Sequence, residues 1–152
     1  MRVFLIWASK EPEMKRLIDE LEAKGHKIVY WVGIGGGENF CPPEAIFHDH
    51  FAAWAGNPAK GLAIDDFSPA GKGLIEKLYK TESLVLTMMN KKFNNLSVDE
   101  RRHIYYRLLQ YWNGVINKYK PDIIIFPIVP HTVYNFIIYS LAKLYRIKTV
   151  MF

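Results

Sequence analysis

The chain has 152 residues, half of them apolar and 14% aromatic, with one cysteine and a formal charge of +5. That length suits one domain with a proper core, and that composition excludes a disordered chain. A lone thiol excludes an intrachain disulfide and a cysteine cluster for zinc, while Lys10, Glu11 and Glu13 interrupt the apolar start long before a signal core or membrane span would be complete.

Residues 2–8 predict a first strand, Ser9 an N-cap, and residues 11–24 a helix whose Met14, Leu17, Ile18 and Leu21 share one face. Gly25 supplies the helix stop. Residues 27–32, rich in β-branched and aromatic side chains, predict a second strand, so the chain opens as a right-handed parallel βαβ unit. An irregular stretch over residues 33–72 contains one short apolar run, Ala45, Ile46 and Phe47, that predicts a third short strand.

Two long helices are expected next, over residues 72–90 and 98–118. Ser97 and Glu100 announce the second as a capping box, and Ile104, Leu108, Tyr111, Trp112, Val115 and Tyr119 form its buried stripe. After Pro121 and Asp122, the continuous run Ile123, Ile124, Ile125 and Phe126 suits a parallel strand covered on both faces. Residues 132–146 then read as a helix and 148–152 as a last strand. A chain that stops on an apolar strand suggests an excised domain or a truncated gene. The fold class expected is α/β, one domain with an open, mostly parallel Rossmann-like sheet and helices on both faces.

In such sheets ligands bind beyond the carboxyl ends of the strands. The loop of Ser9, Lys10, Glu11 and Pro12 has no glycine and cannot bring its backbone close to a pyrophosphate, which argues against a standard NAD site. The loop after the second strand carries Gly35, Gly36, Gly37 and Glu38; it reads either as a flexible connection or as a backbone cradle for phosphate or sugar. The loop after the Ile125-Phe126 strand places His131 and Thr132 at a helix start, where an anion is favoured and an imidazole could donate, accept or act as a base. His131 is the strongest single candidate, against the plainer reading of a cap or a packed ring.

His48 and His50 could share one face of a strand as a metal pair would, but no third ligand stands at a convincing spacing, so a loop or helix-capping role is preferred and no metal is expected. Cys41 before two prolines reads as an inert loop thiol. Basic residues are scattered from Arg2 to Lys148, without the basic and aromatic cluster of a nucleic-acid surface.

The stretch PDIIIFPIVPHTVYNFIIYSLAKLYRIKTVMF resembles the last βαβ of the N-terminal domain of GT-B glycosyltransferases of bacterial surface and capsular polysaccharide synthesis, and residues 1–33 resemble its first. Pro130, His131 and Tyr134 are the most distinctive part of the match. The resemblance implies an acceptor-holding domain, with His131 as catalytic base and Gly35, Gly36, Gly37, Glu38, Thr132 and Tyr134 as substrate-binding residues. It implies a sugar or glycan acceptor, a nucleotide-sugar donor held by a missing C-terminal domain, and no cofactor. It also implies no turnover by this chain alone; the lone cysteine favours a reducing, cytoplasmic place, at the inner face of the membrane with peripheral contact there, and the scattered basic residues predict no nucleic-acid partner. The competing reading is a non-catalytic, flavodoxin-like binding or regulatory domain.

Overall fold

The computed structural model of the protein describes residues 1–8 and 13–152; the expected Ser9 cap and the Ser9 to Pro12 loop lie outside the described residues. Five parallel strands, β1 (Arg2–Ile6), β2 (Lys27–Gly33), β3 (Ile46–Asp49), β4 (Ile123–Phe126) and β5 (Lys148–Met151), form one sheet in the order β3-β2-β1-β4-β5. The chain therefore builds outward from β1 in one direction, then crosses and builds outward in the other. That reversal opens a crevice between the carboxyl ends of β1 and β4.

The three central strands β2, β1 and β4 carry near-continuous apolar runs because both their faces are covered. Helix α1 (Glu13–Ala23) closes one face, where Met14 and Ile18 meet Val3, Leu5, Ile28, Trp31, Ile123 and Ile125. Gly25 ends it at φ 74, a conformation that favours glycine. The other face is larger. It is covered by α2 (His50–Ala55), α4 (Tyr79–Met88), α5 (Val98–Tyr119) and α6 (Val133–Leu144), which bury Phe4, Ile6, Tyr30, Val32, Ile124 and Phe126. The register of β2 on β1 slips between Val3 and Phe4, so that Val29 and Tyr30 both belong to this larger core. Asp122 fastens the start of β4 to β1, its carboxylate accepting from the Arg2 amide at 2.6 Å and its own amide donating to the Arg2 carbonyl at 2.9 Å.

The capping box of α5 forms as its sequence predicts: Ser97 Oγ accepts from the Glu100 amide at 3.3 Å, and Glu100 accepts from the Ser97 amide at 2.7 Å. The helix expected over residues 72–90 is instead two, a short α3 (Lys72–Lys77) and α4, parted at Leu78, whose backbone leaves the helical region at φ −109 and ψ 18. No proline or glycine marks residues 74–90, so the break has no local signal.

Gly114, inside α5, lets Phe67 lie directly against the helix backbone; a Cβ there would collide with the Cβ, Cγ and Cδ1 of Phe67. Gly114→Ala therefore forces overpacking in spite of alanine's better helix propensity, and is expected to destabilise by about 1–3 kcal/mol. Urea unfolding checks it; a variant at least as stable as the parent would contradict this packing.

Candidate functional site

The two histidines that flank Asp49, His48 and His50, separate in the fold. Asp49 ends β3 and caps α2, its carboxylate accepting from the Ala52 amide at 2.9 Å. His48 is 1% exposed. Its Nε2 lies 2.9 Å from the Asn57 carbonyl, which can only accept, so Nε2 carries the hydrogen and Nδ1 accepts from the Tyr30 hydroxyl at 2.7 Å. With the Tyr30 hydrogen so used, the Tyr111 hydroxyl donates to the Tyr30 oxygen at 2.8 Å, and Tyr111 in turn accepts from the Ala59 amide at 2.9 Å. Every hydrogen in this chain has one assignment. Burial lowers the His48 pKa to about 4 and raises that of Tyr30 well above its ordinary value, so both stay uncharged. His48 is a fully bonded core group with no lone pair left for a metal or a substrate.

His50, at the start of α2, stands beside the sheet crevice. A cavity of about 290 Å³ opens there, lined by Ile6 at the end of β1 and Ala8 beyond it, Pro127 and Ile128 after β4, His50 and Trp54 of α2, and His131, Thr132, Tyr134 and Asn135 at the start of α6. Tyr134 Oη lies 2.6 Å from His50 Nδ1, the one acceptor bonded to this phenol among the described residues. The phenol therefore donates, and His50 keeps its hydrogen on Nε2. Burial lowers the His50 pKa; Lys92 and His131 push the same way against the opposing pull of Asp49. His131 Nδ1 lies 3.1 Å from the Val129 carbonyl. In the uncharged ring that contact puts the hydrogen on Nδ1 and leaves the Nε2 lone pair free to take a proton. The cavity thus combines a proton acceptor at His131 with a proton donor at His50.

Two buried side-chain atoms here, Thr132 Oγ1 and Asn135 Oδ1, have no partner among the described residues. Buried polar atoms are nearly always bonded, so these two leave unmet hydrogen-bonding capacity in the residues that line the cavity. Trp112 ties the site to the core: its ring stacks on His48 with centroids 5.5 Å apart and on Tyr134 at 5.9 Å, each at an interplanar angle of 25°.

Of the residues singled out in the sequence, the fold brings His131, Thr132 and Tyr134 together. The glycine loop stands apart from this cavity. Gly36, at φ 94, and Glu38 close the loop on itself, the Glu38 carboxylate accepting from the Gly36 amide at 2.8 Å. Gly37 is buried, and a Cβ there would press on Trp31 and Phe47; Gly35 is open to solvent. Glu38 instead lines a wider hollow of about 630 Å³ along β3 that also includes Phe47, Pro58 and Lys60. That hollow reaches only one imidazole, His48, whose nitrogens are both engaged. Burial also raises the Cys41 thiol to about 11, leaving it protonated and unreactive near neutral pH. Among the described residues no three His, Cys, Asp or Glu side chains gather as a metal site would need.

His50, Trp54, Lys92 and Asn135 carry no sequence signal for the site. His50 and Tyr134 are 84 positions apart, so only the tertiary fold joins them. Comparison with protein-family models, curated proteins and solved structures gives no match. Among the described residues no helix is long and apolar enough to cross a membrane.

Proposed function

We propose that the chain is the acceptor-holding half of a GT-B glycosyltransferase of surface polysaccharide synthesis, and that the crevice beyond β1 and β4 receives the acceptor sugar. The observation that carries this reading is the His131 imidazole, held by the Val129 carbonyl with Nε2 unencumbered in a cavity at the reversal of strand order. An acceptor hydroxyl gives its proton to His131 Nε2 as its oxygen bonds to the anomeric carbon of the donor sugar. The bond from that carbon to the nucleotide's diphosphate breaks, and its electron pair leaves on the phosphate oxygen. The donor is held by a second domain. His50 donates from Nε2, and Thr132 and Asn135 bond the acceptor's remaining hydroxyls. The reaction takes place in the cytoplasm, at the inner face of the membrane.

Following the His50 and His131 ring protons by NMR while titrating neutral saccharides, and separately UDP, tests the reading. Saccharides should shift both rings and UDP neither; shifts with UDP alone would assign the crevice to a nucleotide and overturn it. Because the His131 side chain is exposed, His131→Ala should leave stability within about 0.5 kcal/mol of the parent. Once a donor-holding domain is joined, the same change should lower transfer about 10²–10⁴-fold.

A further inference from the structure

A smaller hollow of about 180 Å³ opens beside the crevice and shares Trp54, His131 and Thr132 with it. Its remaining lining is Met88, Lys91 and Val133, and among the described residues no carboxylate lines either space. Lys91 takes no part in the ion pairs found among the described residues, and the neighbouring Lys92 ammonium lies 4.7 Å over the Trp54 ring. Two cations therefore stand around one indole with no counter-charge in the cavity wall among the described residues. The same hollow meets the start of α6, where Thr132 gives no side-chain cap and its own buried hydroxyl lacks a partner. First-turn amides left open in this way, with the helix dipole behind them, favour negative charge.

Resting on the sugar-acceptor reading above, we propose that this hollow takes an oxyanion carried by the acceptor sugar itself, a carboxylate or a phosphate ester, with Lys91 as its counter-charge. The two spaces share His131, so one ligand spans both, its reacting hydroxyl in the crevice and its charged group in the hollow. A compact ammonium suits either oxyanion as a point charge, whereas a neutral sugar would leave Lys91 without a partner at the ligand.

Titration of the protein with glucose, glucuronate, glucose 6-phosphate and inorganic phosphate at low salt, read at the His131 ring proton, tests this. One or both charged sugars should bind at least about tenfold more tightly than glucose, consistent with one charge-assisted contact. Preference for one of them identifies the oxyanion. Lys91→Met should remove the difference and leave glucose unchanged, while Lys60→Met, which removes the same charge outside the hollow, should keep it. Equal affinity for glucose and both charged sugars would overturn the oxyanion and leave the sugar reading standing. No binding by any sugar would overturn both. Inorganic phosphate binding as tightly as glucose 6-phosphate would show a free-anion site and also overturn the proposal.

Discussion

Trp112→Ala is expected to lower the unfolding free energy by about 3–5 kcal/mol, the largest effect of any single change considered. The indole is fully buried, and it stacks on two different parts of the molecule, His48 of the core network and Tyr134 of the crevice. It also meets Tyr30 and Tyr111 edge-on, at 5.7 and 5.0 Å between centroids. Such ring pairs add to the transfer free energy of the buried surface. Removing the indole leaves a cavity bounded by aromatic groups whose positions are also fixed by hydrogen bonds, so collapse to fill it is poor. The Tyr134 phenol should loosen with it, and the His50 ring proton should shift in the folded variant. A loss below about 1 kcal/mol in urea unfolding would contradict the central place given to this side chain.

The second large effect is on acid stability. Folded His48 titrates at about 4, whereas an unfolded histidine titrates near 6.5. Between these values the unfolded chain binds a proton that the folded chain refuses, so stability is complete above about pH 6.5 and falls as the pH drops through the folded value. The full loss is roughly 3 kcal/mol, with about 2 kcal/mol gone by pH 5. His50, also lowered by burial, acts in the same direction. Urea titrations at pH 7 and pH 5 should show the difference, and His48→Gln should remove most of it, since glutamine can bond in the same place without taking up a proton. A parent protein equally stable at both pH values would contradict the buried, uncharged state of His48.

The strands β1, β2 and β4 were legible because they are buried on both faces and written as apolar runs; Ile123 to Phe126 needs no context to be read. The Ser97 and Glu100 pair marked the start of α5 because a capping box is local chemistry. Leu78 was unreadable for the opposite reason: its break has no proline, glycine or polar cap, and answers to packing with distant parts of the chain. His48 and His50 show how far a spacing carries. Two positions apart predicts a shared strand face, but β3 ends at Asp49, so His50 starts α2 and joins Tyr134, while His48 enters the core. The start of α6 was legible as a place where an imidazole meets a helix terminus. Its partners were not, because His50, Trp54 and Lys91 reach it from separate segments. The glycines of the loop after β2 signal freedom of the backbone, and that freedom serves a closed turn and the close approach of Trp31.

The most direct measurement is a crystal structure of the protein with a bound saccharide. A sugar in the crevice, with a hydroxyl within hydrogen-bond reach of His131 Nε2 and its ring beside Trp54, is the predicted result. A sugar seated along β3 or on the loop from Gly35 to Glu38, with the crevice unfilled, would contradict the assignment of the acceptor site.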